Sequence, residues 1–171
     1  CLEILLDIGK VKATQAQFDT WMVEKNVDYL NYIEDMNASE ILPDVPRVLD
    51  YLKKENIPIA LGSASKNAKP ILEKVNLVSY FDSIVDGNSV TKAKPDPEVF
   101  LIAANNLGVA ASSCVVFEDA VAGIQAANSA KMTSIGIGDS NILNEADYNF
   151  KDFTEISDSF LASILNKNYK K

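Results

Sequence analysis

Three short polar stretches in this sequence each follow an apolar run, and each carries residue types suited to holding an ion. They are Gly62-Ser63-Ala64-Ser65-Lys66-Asn67, Lys92-Ala93-Lys94-Pro95-Asp96-Pro97, and the pair Glu118-Asp119. A small hydroxyl residue such as Ser63, with free backbone N–H groups at a helix start, suits a phosphate oxygen, and a lysine from the next loop, Lys94, can neutralise the same group. Adjacent carboxylates suit Mg²⁺, a hard cation that takes oxygen ligands and keeps several waters. Each has a plainer explanation when taken singly. Ser63 fits a helix N-cap, Lys94 a solvated loop lysine, and Glu118-Asp119 the negative charge that a helix N-terminus favours. All of them at successive strand ends is what convergence on one crevice would look like.

The elements that must position these residues follow from the apolar spacing. Ile57 to Leu61, Ser83 to Val85, Cys114 to Phe117 and Thr133 to Ile137 read as strands. Between them, helical faces run through Val45, Val48, Leu49 and Leu52, then Ile71, Leu72 and Val75, then Phe100, Ala103, Ala104 and Leu107, with Gly108 as a C-cap. Val121 to Ala130 and Asp158 to Leu165 give two more helices. Apolar strands joined by helices predict an α/β fold: a Rossmann-like, three-layer parallel sheet covered on both faces, with active groups just past the strands' C-terminal ends. Residues 1–40 differ. Leu2, Leu5 and Leu6 share one helical face, and Thr14 with Gln17 forms a capping-box pattern opening a longer helix whose apolar side runs Phe18, Trp21, Met22, Tyr29, Ile33, Met36. Lys25 lies on the flank of that stripe, either as a lysine snorkelling along apolar surface or as a ligand group. The change of pattern after Ile41-Leu42-Pro43 places a domain boundary near residue 40, with a helical unit at 1–40 and an α/β core at 41–171.

Composition narrows the chemistry. The 171 residues are 47% hydrophobic, enough for one core with a small appendage, and carry 24 acidic against 16 basic residues for a net charge of −8. Nucleic acid is therefore not expected as a partner, since Lys167, Lys170 and Lys171 form the only basic gathering. An anionic substrate must be held locally by placed cations or a metal, because the overall field repels it. The absence of histidine excludes Ser-His and Cys-His nucleophile pairs and ordinary zinc sites. Two cysteines, Cys1 and the strand-borne Cys114, make no disulfide framework, so a reducing, cytoplasmic setting is expected. No apolar run reaches the roughly 20 residues that span a bilayer, so no membrane partner is expected, and the chain is expected to be a monomer. A start at Cys1 is expected to reflect missing residues rather than processing.

The strand-end residues, seen as Ile59-Ala60-Leu61-Gly62-Ser63, Lys94-Pro95-Asp96-Pro97 and Val116-Phe117-Glu118-Asp119-Ala120-Val121-Ala122-Gly123-Ile124, resemble motifs two, three and four of the haloacid dehalogenase phosphotransferases. The likeness covers most of residues 41–165. Within that superfamily, Ser63 to Asn67 and the Lys25-Asn26 pair look most like the β-phosphoglucomutases. The resemblance implies an aspartate that is phosphorylated, Mg²⁺ bridging that phosphate, and a helical cap, of which residues 1–40 would be part, closing over a small sugar phosphate. It implies conversion of β-glucose 1-phosphate to glucose 6-phosphate through a bisphosphate. By position, Ser63 and Lys94 would hold the transferring phosphate, Ala64 would add its N–H, Glu118 and Asp119 would hold the metal, and Lys66, Asn67 and Lys25 would meet the distal phosphate or sugar. Phosphoryl transfer needs positioning and charge neutralisation more than proton shuttling, so a site without histidine suffices.

One departure stands out. The superfamily opens on an apolar strand ending Asp-x-Asp-Gly, and no Asp-x-Asp occurs in this sequence. Leu5-Leu6-Asp7-Ile8-Gly9 has no second carboxylate and a helical leucine spacing, so Asp7 is rejected as the nucleophile. In the family that strand lies between those bearing motifs two and four, so its absence is expected to leave an apolar gap and two unpaired strand edges. The chain alone is then expected to be inactive, and the first strand is expected to belong to the physical protein. Two other readings stay open. One is a phosphatase of the same superfamily acting on a small phosphomonoester. The other is a non-enzymatic domain, either an inactive remnant or a receiver-like module, although nothing in the sequence provides a receiver's acceptor: Asp86 follows a short strand but precedes Gly87-Asn88, with no acidic pair upstream.

Overall fold

Thr14 caps a helix as the sequence predicts. In this computed structural model, which describes residues 2–169, its hydroxyl accepts from the Gln17 N–H at 3.3 Å, and the Gln17 side-chain oxygen accepts from the Thr14 N–H at 3.0 Å. Two backbone donors that a helix start leaves open are thereby satisfied. Cys1, Lys170 and Lys171 lie outside the described residues. The capped helix is α2 (Gln15–Glu34), preceded by α1 (Leu2–Ile8), which holds Asp7 in helical rather than strand backbone. Along α2 Ile33 is buried, Met36 falls past the helix end, and Met22, Val23, Val27, Tyr29 and Tyr32 are exposed. Two hydrogen bonds tie it to its neighbour α4 (Ala68–Lys74): Asn67 Nδ2 donates to Asn26 Oδ1 at 3.2 Å, and Lys74 Nζ donates to the Glu34 carbonyl at 2.9 Å.

From Val45 onward, helices and strands alternate: α3 (Val45–Lys54), β1 (Ala60–Gly62), α4, β2 (Ser83–Val85), α5 (Glu98–Asn106), β3 (Val115–Glu118), α6 (Val121–Ser129), β4 (Thr133–Ile137), β5 (Tyr148–Phe150) and α7 (Asp158–Tyr169). All strand pairs are parallel, as crossover connections require. The expected strand at Ile57–Leu61 pairs only over Ala60–Gly62. Its first part is held by other means: the Ile59 N–H donates to Asp82 Oδ2 at 2.9 Å, and the Ile59 carbonyl accepts from the Asp82 N–H at 2.8 Å. The backbone donation from Ile59, ahead of the Lys53 ammonium, holds the Asp82 carboxyl below its ordinary range.

β5 has no counterpart in the sequence reading. Tyr148-Asn149-Phe150 is too short and too polar at its centre to register as an apolar run. It is placed by Gly136 on β4, where a side chain would fall on the Asn149 amide, and by the Gly138 N–H donating to the Phe150 carbonyl at 2.8 Å.

The strands form two sheets, β1-β2 and β3-β4-β5, rather than one continuous sheet. β1 and β3 do not pair, and between them runs a largely apolar slot of about 800 Å³, lined among others by Leu61, Ala104, Val116 and Leu161. On one face α5 and α6 join the halves through a shared core in which Val85 and Val99 meet Val116, Ala126 and Met132. On the other, Val48 of α3 packs with Ile156 and Leu161. Ile124 and Ile135, with no exposed surface, anchor the β3-β4-β5 half, and burials of that kind contribute roughly 1.5–3 kcal/mol each.

Candidate functional site

The C-terminal ends of β1 and β3 open on the same end of the slot, and the residues that follow them meet there. Ser63 and Ala64 follow β1, Glu118 ends β3, Asp119 comes next, and Lys94 reaches in from the loop after β2; all five line the slot. The Lys94 ammonium donates to Glu118 Oε2 at 2.8 Å and to the Gly62 carbonyl at 3.2 Å. The two side chains retain only 14% and 11% exposure, so this is a desolvated pair, costly to leave half made. Glu118 lies under the first turn of α6, where a side chain at Gly123 would overlap its carboxylate. That close approach is why the helix needs glycine there, and it explains Glu118 as a bonded site residue rather than a surface charge at a helix start.

The backbone around Ser63 is wound by its own hydroxyls. Ser63 Oγ accepts from the Ser65 N–H at 3.1 Å, and Ser65 Oγ accepts from the Asn67 N–H at 3.1 Å. Asn67, not Ser63, is the N-cap position of α4, so the plain capping explanation for Ser63 does not hold. The loop after β2 backs this turn: the Gly87 N–H donates to the Ser65 carbonyl at 3.1 Å and Asn88 Nδ2 to the Lys66 carbonyl at 3.3 Å. A Cβ at Gly87 would fall 2.5 Å from the Ala64 carbonyl oxygen. Asp86 is engaged within its own turn, accepting from the Asn88 N–H at 2.9 Å, and that donor above all holds its carboxyl below the ordinary range. A phosphoacceptor aspartate at this position would have to break that turn.

Lys94 is delivered by a loop pinned at both ends. Glu98 accepts from the Lys92 N–H at 2.6 Å and the Thr91 N–H at 2.9 Å, which depresses its carboxyl, the Lys92 donation most. Asp96 Oδ1 accepts from the Glu98 N–H at 3.0 Å and starts α5.

The residues expected to meet a distal group do not share the slot. Lys25 stands in a shallow hollow on α2 with Trp21, Glu24, Asp28, Tyr29 and Tyr32. Lys66 is exposed, and Asn67 is bonded to Asn26. The slot also gathers Ser65 and Phe100, which the strand-end reading did not single out. Ser65 carried a signal in the repeated Ser-x-Ser of the turn; Phe100 reads from spacing only as a core position.

For a divalent cation, Glu118 and Asp119 supply hard oxygen donors of the right kind. Among the described residues, no group of three or more His, Cys, Asp or Glu side chains comes together to complete a cage. The residues present thus fit such an ion from one side, with part of the donor set left to waters, a phosphate or a further carboxylate.

The family model of the haloacid dehalogenase-like hydrolases matches residues 4–131. The chain is 40% identical over 148 residues to β-phosphoglucomutase of Bacillus subtilis, a match covering 85% of this chain and 66% of that protein. It is 37% identical over 102 residues to fructose-1-phosphate phosphatase of Escherichia coli, covering 60% of this chain and 54% of that one. Among solved structures, a β-phosphoglucomutase from Clostridium difficile superposes with a TM-score of 0.89 at 32% identity, over 99% of this chain and 77% of that chain. The chain thus spans 66% and 54% of the lengths of these two curated relatives.

Proposed function

The chain belongs to the haloacid dehalogenase-like hydrolase family, and on that premise we propose that it forms most of a Mg²⁺-dependent phosphotransferase that interconverts β-glucose 1-phosphate and glucose 6-phosphate. The observation that carries this reading is the meeting of Ser63, Lys94, Glu118 and Asp119 at one end of the slot, with Lys94 and Glu118 in contact at 2.8 Å. In it, Ser63 Oγ, engaged as an acceptor by the Ser65 N–H, turns its proton to a phosphate oxygen, the Ala64 N–H adds a second donor, and Lys94 neutralises charge. Glu118 and Asp119 would hold the cation, which when bound would offset the phosphoryl charge.

The aspartate that takes the phosphoryl group is the missing part. No Asp-x-Asp occurs in the 171 residues, and we place that carboxylate on a strand entering the slot between β1 and β3, beside Lys94. Residues 1–40 serve as part of a cap and 41–171 as the core, with Lys25, Lys66 and Asn67 meeting the distal phosphate or sugar once the cap moves toward the slot. The substrate is a small soluble sugar phosphate. Among the described residues no helix is long and apolar enough to cross a membrane.

A second reading is a phosphatase acting on a small phosphomonoester. It is favoured by the placement of Lys25 in a hollow apart from the slot and by the likeness to a fructose-1-phosphate phosphatase. The test supplies β-glucose 1-phosphate, Mg²⁺ and a trace of the bisphosphate to the protein completed with a strand ending Asp-x-Asp. Glucose 6-phosphate formed in excess over free phosphate is the expected result, with no turnover by the 171 residues alone. Free phosphate as the main product selects the phosphatase, and a folded but silent completed protein overturns both in favour of a remnant.

A further inference from the structure

Lys94 has a third partner besides Glu118 and the Gly62 carbonyl: its ammonium lies over the face of the Phe100 ring, 4.6 Å from the centroid. Phe100 sits in the first turn of α5 with 7% exposure and cannot easily move. A side chain at Gly62 would come within 3.0 Å of its ring, so the end of β1 is shaped to bring that ring flush beneath the lysine.

The three contacts differ in what they demand. Glu118 and the Gly62 carbonyl each engage an N–H of the ammonium, which has three. The aromatic face attracts the charge as a whole, through the ring quadrupole, and needs no particular N–H. Glu118 is also the partner with a competing task, since a cation at the site draws the same carboxylate. When it turns away, the carbonyl and the ring remain to fix the ammonium.

We infer that Phe100 is a positioning residue for Lys94: its ring holds the ammonium at the slot's polar end independently of Glu118, and so sets the affinity of the site for phosphate. This rests on the phosphate-handling role of Lys94 proposed above. It assigns to a core-facing aromatic a share of the anion site that its spacing in the sequence does not suggest.

The test uses two readouts on the same samples. Protons held over an aromatic face are shifted upfield, so in protein labelled with ¹³C-lysine the Lys94 ε-methylene signal, assigned by its loss in Lys94→Arg, is expected upfield of the other lysines. Binding of inorganic phosphate in the presence of Mg²⁺ is followed by calorimetry. Phe100→Leu is expected to abolish the upfield shift and weaken phosphate binding roughly five- to thirtyfold, while Phe100→Tyr keeps both. Should Phe100→Leu fail to fold, as judged by circular dichroism, Phe100→Met makes the same comparison with a longer side chain. An unshifted Lys94 signal in the unaltered protein overturns the inference whatever phosphate does. Equal phosphate affinity in the unaltered and Phe100→Leu proteins overturns it while leaving the phosphate site standing. No phosphate binding by the unaltered protein overturns the phosphate site itself, and the inference with it.

Discussion

At the strand ends, Lys94 shares its ammonium among a carboxylate, a carbonyl and an aromatic face, whereas on α2 Lys25 stands in a shallow hollow of about 420 Å³ between aromatic and acidic neighbours. The strand-end residues lie on turns whose N–H groups are bound by Ser63, Ser65, Asp86 and Glu98. The helix presents exposed apolar residues along much of its length and meets α4 through two polar bonds. The strand-end side chains are thus held by several partners each, while Lys25 rides on a helix joined to the rest through fewer polar bonds. Rigid positioning where charge develops and looser attachment where recognition happens is the division that the proposed phosphoryl transfer under a closing cap would call for.

The sharpest way to break this comparison is to remove one partner of the desolvated pair. Lys94→Ala leaves Glu118 buried without its cation and is expected to cost about 3 kcal/mol of stability, read as a lowered urea midpoint. Lys25→Ala, on the looser region, is expected to stay within about 0.5 kcal/mol of the parent. In the completed protein, Asp119→Ala is expected to remove Mg²⁺-dependent turnover, and unchanged turnover would refute its place at the cation. Gly123→Ala forces the α6 turn and the Glu118 carboxylate apart and is expected to cost roughly 1–3 kcal/mol, visible as a lower melting temperature.

Acid should separate the two regions more gently. Asp82, Asp86 and Glu98 are held below their ordinary ranges by the backbone N–H groups of Ile59, Asn88 and Lys92 respectively. A depressed carboxyl contributes stability that is present above its unfolded value and lost as pH falls through its folded one. Unfolding measured from neutrality downward should therefore show little loss until below about pH 4, and the 82–98 segment should loosen first, by loss of its amide protection. The smallest expected effect sharpens the recognition side: Lys25→Ala should impair transfer from the bisphosphate more than hydrolysis of a small ester, and equal activity in both forms would remove Lys25 from the distal site.

Much of this arrangement was legible in the residues. β2 and β4 were legible at the bounds the structure shows, because Ile84, Val85, Ile135 and Ile137 outweigh the Ser and Thr residues beside them. The polar residues at and just past the ends of β1 and β3 pointed to the slot, because backbone ends and turns can present N–H groups to an anion there. β5 escaped because Asn149 breaks its apolar run and pairing with β4 alone defines it. Phe100 escaped as a site residue because spacing reports that a side chain is buried, not what its ring faces. The split into two sheets was foreshadowed by the lack of an Asp-x-Asp motif among the 171 residues. Where Lys25 would lie relative to Lys94 was not, since that depends on how α2 docks, and an unevenly covered apolar face does not specify a partner.

The division of the strands into two sheets also gives the molecule a mechanical character. Ser63 and the Gly62 carbonyl stand on one half, Glu118 and Asp119 on the other, and among the described residues no ladder of backbone bonds joins β1 to β3. At the polar end of the slot a side-chain strut, Lys94 reaching across to Glu118, spans that gap. The two halves share a spine of α5 and α6, and a strand inserted between β1 and β3, as proposed above, would take over from that lysine the setting of the distance between them.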